Sequence, residues 1–265
     1  MRYPLCHSPQ HQSLPLTWGI VVLVLMLAMI VQPVQCLSAQ AQEDVDLELQ
    51  DISLTTSDQV TLAASWVVPH ASEENQQRRP VVILLHDYGL NRRDWSFFIP
   101  DLAQRGYNVL ALDLRGHGQS EGRGQYSPAS LLQQGHLDVL AALEWIEDNT
   151  QSDADQIFLI GAGVGADIAY MSSGKFPKQI QATVAISPSY SSILDGSFVD
   201  IRPRAILFCA TVGSHQGSSM LATESLANFT QDPKKVILYQ GSAHGLAMFY
   251  KHPELRQEIF TWLSQ

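Results

Sequence analysis

The chain has 265 residues, with 16 lysines and arginines against 26 aspartates and glutamates and a formal net charge of −10 at pH 7. So acidic a chain is repelled by nucleic acid and by anionic membrane surfaces, and its double arginines at 78–79 and 92–93 make no basic patch. The length and the 45% hydrophobic content suit a single domain with a substantial core.

Arg2 is the sole formal charge before Glu43, and an apolar run, "WGIVVLVLMLAMIV" (18–31), is followed by Gln32, Pro33 and the small residues Ala39 and Ala41. This is the layout of a secretory signal peptide cut after Ala41, since the apolar run falls short of the roughly 20 residues that span a bilayer. An uncleaved N-terminal anchor is the alternative. A lipid on Cys36 is disfavoured by the bulky Gln35 before it. The expected division is therefore a signal segment over 1–41 and a folded domain over 42–265, in a protein that is exported: periplasmic, extracellular or held by the uncleaved segment. Without Arg2 the domain carries fifteen basic and twenty-six acidic residues, and Cys209 is its one cysteine, so its core rather than disulfides must hold it.

Two alternating stretches, 45–56 and 59–69, read as an antiparallel hairpin turning at Ser57-Asp58. A polar loop (70–79) follows. Continuous apolar runs at 81–86, 107–113, 156–161, 182–187, 205–211 and 235–241 are the pattern of strands buried on both faces. Helical patterns lie between them. That at 93–106 contains Pro100, which marks a break or a first turn, and ends at Gly106. That at 128–149 sets Leu132, Gly135, His136, Val139, Leu140, Leu143 and Ile146 on one stripe. "ADIAYMSSG", "MLATESLANF" and "PELRQEIFTWLS" supply three more. The alternation predicts an α/β fold with a doubly wound, mostly parallel sheet.

The order of motifs resembles an α/β-hydrolase from about residue 45 to 265, and within that superfamily it is similar to small bacterial esterase-like and serine aminopeptidase-like members. "DLRGHGQSEG" (113–122) is the most specific match. "HDYG" (86–89) stands where the family has its His-Gly-x-Gly oxyanion loop, and "YQGSAHGLAMF" (239–249) matches its histidine loop with His244 in the general-base position. The resemblance implies an α/β-hydrolase fold with an N-terminal hairpin, a minimal lid over 188–203 and a shallow, open cleft. Two positions depart from it. The nucleophile elbow reads "GAGVG", so Gly163 replaces the serine. The acid loop reads "ATVGSHQ" (210–216), with Gly213 or Ser214 where relatives carry aspartate, and Gly213 taken as the vacated position.

A serine hydrolase needs a hydroxyl to form the acyl intermediate, an imidazole to move its proton and a carboxylate to orient the imidazole. Glycine supplies no attacking atom, and it tolerates the strained elbow dihedrals freely. Asp195 or Asp200 remains as a substitute acid, and the backbone N–H groups of Tyr88 and Val164 would still form an oxyanion-type site. The expected function is a degenerate esterase, inactive and binding a small ligand or a protein partner around the old cleft. The alternative is an active carboxylic-ester hydrolase with a non-standard arrangement around His244. A minor alternative reads Gly161-x-Gly163-x-x-Ala166 as a dinucleotide fingerprint, which lacks the acidic residue at the tip of the next strand.

His86 and His117 read as loop-shaping hydrogen-bond formers and His215 as solvated; no zinc-type ligand spacing occurs, so neither metal nor cofactor is expected. Trp66, Trp95, Trp145 and Trp262 read as packing residues, and "NFT" (228–230) as a sequon if the host glycosylates. Ser187 and Cys209 are the hydroxyl and thiol whose position would decide against the inactive reading.

Overall fold

A computed structural model describes residues 46–69, 78–189 and 203–265. The expected signal segment, most of the expected lid stretch, Asp195 and Asp200 lie outside the described residues. The eight strands are β1 (Leu47–Thr55), β2 (Thr61–Pro69), β3 (Arg79–Leu85), β4 (Asn108–Leu112), β5 (Ser152–Ala162), β6 (Ile180–Ile186), β7 (Arg204–Thr211) and β8 (Gln231–Tyr239). They form one sheet in the order β1-β2-β4-β3-β5-β6-β7-β8. β1 and β2 form the antiparallel hairpin, β2 runs antiparallel to β4, and the remaining pairs are parallel. This is the α/β-hydrolase fold.

The helices are α1 (Ile99–Ala103), α2 (Pro128–Asp148), α3 (Val164–Lys175), α4 (Ser218–Phe229), α5 (Met248–Lys251) and α6 (Leu255–Leu263). Because consecutive residues of a buried strand face opposite ways, β3 sends Val82 and Leu84 to one layer and Val81, Ile83 and Leu85 to the other. The first layer packs on α1, α5 and α6, with Trp95 and Trp262 inside it. The second packs on α2 and α3, with Trp66 inside and Trp145 half-buried against it. A smaller cluster joins α3 and α4 to β6 and β7.

The expected helix over 93–106 is two pieces, a 3-10 turn at Arg92–Trp95 and α1. Pro100 sits in the first turn of α1, where its missing N–H costs no bond. α2 starts on a Ser127–Ser130 capping box with Pro128 in its first turn. Its buried face includes Leu131 and Asp138 and leaves His136 and Leu140 half-buried. Asp138 enters because Arg115, wholly buried in the loop after β4, bonds it at 2.7 Å. Periodicity treats a carboxylate as an outward residue and has no means of anticipating that partner. Among the described residues no helix is long and apolar enough to cross a membrane.

Candidate functional site

The site is assembled at the C-terminal ends of β3, β5, β7 and β8. The β5–α3 turn makes a sharp elbow at Gly163, whose φ of 56° and ψ of −122° are dihedrals glycine accepts without strain. The turn is pinned by the Gly163 N–H, which donates to the Ile186 carbonyl at 2.9 Å. Its neighbours are glycine for a packing reason: a Cβ on Gly161 would lie 2.1 Å from the Gly165 carbonyl, and one on Gly165 would lie 2.4 Å from the Leu85 carbonyl. Of the two glycines in the supposed dinucleotide fingerprint, Gly161 thus serves a close approach of backbone to backbone, and Gly163 the elbow's positive φ. The fingerprint reading is corrected on a second ground, since a phosphate at this turn would meet a carboxylate already bound there.

That carboxylate is Asp87, in the loop after β3. Its Oδ1 accepts the N–H of Tyr88 at 2.7 Å and that of Val164 at 3.0 Å. Its Oδ2 lies 3.3 Å from His244 Nε2. A Cβ built on Gly163 would fall 1.9 Å from Oδ1, 2.0 Å from Cγ and 2.3 Å from Oδ2. Asp87 therefore occupies the space that a side chain at the elbow would take. The two N–H groups expected to form an open oxyanion site do converge, but on this carboxylate, which is a correction to that expectation. Burial opposes ionisation of Asp87, yet the His244 imidazole and the Val164 and Tyr88 N–H groups outweigh it and hold the carboxyl below its usual range. The positive end of α3 acts in the same sense.

On its other side, His244 Nδ1 meets the hydroxyl of Ser214 at 2.9 Å and that of Ser219 at 3.3 Å, both buried. Gly213, taken from the sequence as the vacated acid position, does not face the imidazole: its N–H donates to the Gly241 carbonyl at 2.8 Å, and a Cβ there would meet the same oxygen at 2.8 Å. Of the two positions read as the vacated acid slot, Ser214 is the one that reaches Nδ1. His215 is exposed and sets its ring edge-on to His244, centroids 4.2 Å apart.

Ser187 and Cys209 do not enter the cleft. The Ser187 hydroxyl is buried and donates to Met248 Sδ at 3.0 Å. Cys209 is buried, which pushes its thiol far above the usual range and keeps it protonated. His86 is a strut. It accepts the Leu114 N–H on Nε2 at 3.0 Å, so Nδ1 carries the hydrogen donated to the Asp87 carbonyl at 2.7 Å. Burial lowers its pKa to about 4. His117 bonds the Arg115 carbonyl at 3.1 Å and packs edge-on to Tyr88. Among the described residues no group of three or more His, Cys, Asp or Glu is placed to hold a metal ion.

A cleft of about 380 Å³ opens over the pair, lined by Tyr88, Val164, Asp167, His215, Ser218 and His244 with Asp87 at its floor. The side chains of His244 and Asp87 are 20% and 22% exposed, so a ligand in the cleft can touch both. The residue missed from the sequence is Asp87. "HDYG" departs from His-Gly-x-Gly by putting a carboxylate where the family has its smallest residue, two positions after the end of β3, in a loop that approaches an elbow without a side chain. The two departures fill one volume, and reading them together would have found it.

Fold and site together define an α/β hydrolase. The chain belongs to the serine aminopeptidase (S33) family, whose model matches residues 76–244. It is 30% identical over 121 residues to epoxide hydrolase B of Mycobacterium tuberculosis, covering 46% of this chain and 32% of the relative. It is 26% identical over 166 residues to the pimeloyl-[acyl-carrier protein] methyl ester esterase of Sodalis glossinidius, covering 59% of each. These matches thus span from a third to under two thirds of the relatives' own length. An esterase of Pyrococcus furiosus superposes with a TM-score of 0.64 at 23% identity, covering 83% of this chain and 94% of that one. An acetyl xylan esterase from Paenibacillus gives 0.65 at 17% identity, covering 82% and 84%. At that identity the likeness is one of fold.

Proposed function

We propose that this chain is exported, is inactive as a serine esterase and keeps the old cleft as a small-molecule site whose polar end is the Asp87–His244 pair. One observation carries the reading: the Asp87 carboxylate lies within 2.3 Å of where a Cβ at residue 163 would be, with the Val164 and Tyr88 N–H groups bound to it. An ester would have to place its carbonyl oxygen on those same N–H groups, against a negative charge. Losing the nucleophile alone costs a serine hydrolase about a million-fold in turnover. The relatives' names point to esters and epoxides as ligand classes. Of these, the epoxide has no carbonyl oxygen to seat, and it suits the occupied site better.

Purified protein is expected neither to label with a fluorophosphonate probe nor to turn over p-nitrophenyl acetate above a His244→Ala control. Labelling, or His244-dependent ester turnover, would overturn the reading. A second reading keeps the cleft and adds hydrolysis by a route without serine. It is favoured by the partly exposed Asp87 side chain, whose Oδ2 lies 3.3 Å from His244 Nε2.

A further inference from the structure

We propose that the opposite end of the sheet holds a second small-molecule site, which takes a flat aromatic carboxylate carrying a ring carbonyl. The cleft at the elbow opens at the C-terminal ends of the parallel strands. This cavity, of about 620 Å³, opens at their N-terminal ends, and neither Asp87 nor His244 lines it. β5 reaches both places: Phe158 lines the cavity and Gly163 forms the elbow, a separation of about 16 Å along an extended strand. The volume lies within the roughly 300–1,000 Å³ of small-molecule sites.

Small side chains leave the space. Phe158 is paired with Ala182 on β6, and β7 brings Ala205 to the lining. Ala182 and Ala205 stand one residue before the paired Thr183 and Ile206, so two neighbouring strands offer only methyl groups at this level. Trp262 and Leu263, near the end of α6, form part of the wall.

The wall is aromatic and open to a ligand. Tyr107, Phe158 and Trp262 keep 9%, 7% and 6% of their surface exposed, and all three line the cavity. Leu84, Ile160 and Val184, in the same layer, keep none. Tyr107 and Phe158 meet edge-on with centroids 5.8 Å apart, which presents a ring face and a ring edge to a flat molecule.

Two polar groups say what that molecule carries. Trp262 Nε1–H is buried and has no hydrogen-bond partner among the described residues. An indole can only donate, and a buried donor without an acceptor costs stability, so this wall calls for an oxygen. A neutral carbonyl suits it, because a carboxylate brought so deep would lose its hydration. Lys178 also lines the cavity and is exposed, so an anion beside it keeps its water. On a chain of net charge −10, a local cation of this kind is what draws an anion to one place. The carbonyl therefore belongs at Trp262 and the carboxylate at Lys178.

The test titrates the full chain with chromone-2-carboxylate and follows ligand and indole N–H resonances by NMR. Expected are a dissociation constant of about 1 mM or tighter and a downfield move of one indole proton, the one missing from Trp262→Phe. Naphthalene-2-carboxylate, which lacks the ring carbonyl, should bind about three- to tenfold more weakly and leave that proton in place. Trp262→Phe should remove the difference between the two ligands. Chromone, which lacks the carboxylate, should bind about threefold more weakly, and Lys178→Gln should remove that difference. Ala182→Leu, with its fold checked by circular dichroism, fills the cavity and should abolish binding, whereas His244→Ala should change nothing. Absence of binding, or an affinity that Ala182→Leu leaves intact, would refute the site. If His244→Ala weakens binding and Ala182→Leu does not, the ligand sits at the elbow, so the cleft reading stands and this inference falls. If naphthalene-2-carboxylate or chromone binds as tightly as chromone-2-carboxylate, the assigned ligand class is wrong.

Discussion

A serine written at 163 would set its Cβ between 1.9 and 2.3 Å from the Asp87 carboxylate, at a backbone φ of 56° that already strains a side-chain-bearing residue. Gly163→Ser alone is therefore expected to stay silent to a fluorophosphonate and to unfold about 1–3 kcal/mol more easily in urea. Adding Asp87→Gly removes the obstruction and frees the Val164 and Tyr88 N–H groups, and labelling should then appear. An orienting acid belongs at Ser214, which reaches Nδ1, and not at Gly213, whose Cβ would press on the Gly241 carbonyl. A Gly163→Ser chain that labels with Asp87 intact would show that this space is not contested. His86 gives a second prediction at this scale. Burial lowers its folded pKa to about 4 from 6.5, so as pH falls the unfolded chain takes up the proton first. Its contribution, on the order of 3 kcal/mol, is full above pH 6.5 and is lost between 6.5 and about 4. Melting temperatures across that window should decline less in a His86→Gln variant, which does not titrate there.

The loop after β4 shows how an element is held by a charge that its own pattern conceals. Arg115 is wholly buried, bonds Asp138 on α2 through Nε and its backbone N–H, and bonds Asp58, in the β1–β2 turn, through both terminal nitrogens. One guanidinium thus joins hairpin, loop and helix. Hydrogen bonding from Arg115 lowers Asp58 to about 2 from 3.8. Asp58 therefore stabilises the fold above pH 3.8 and loses that effect as pH falls toward about 2. Asp58→Asn should cost only about 1 kcal/mol at neutral pH, since the carboxylate is 37% exposed and screened. The gap between the two urea curves should close across that window; a gap that persisted below it would assign the loss to packing. The strands were legible because unbroken apolar runs such as Val81–Leu85 admit few other structures. The partner of Asp138 was not, because it depends on a contact between residues 23 apart in sequence.

Across the whole molecule, the sheet divides the core into two layers that scarcely share side chains, and the site sits where the strand ends bring the layers together. Gly163, Val164 and His244 were legible because each belongs to a short local motif. The Asp87–Gly163 relation was not, since it arises only when β3 and β5 lie side by side in parallel. The same geometry gives a prediction for the molecule as a unit. Phe249 is buried in the first layer, packed against Trp95, Phe97 and Phe98, and follows the His244 loop directly in sequence. Leu143 is buried in the second layer on α2. Phe249→Ala should cost about 3–5 kcal/mol and Leu143→Ala about 2–5 kcal/mol, by lost transfer energy and residual cavity. Because the sheet separates them and they share no partner, the double variant should lose the sum to within about 0.5 kcal/mol. Urea unfolding should remain one transition, coincident by circular dichroism and tryptophan fluorescence, because both layers bury opposite faces of the same strands. Two separate transitions would mean that the layers unfold independently, and the sheet would then not be the common element on which the site is built.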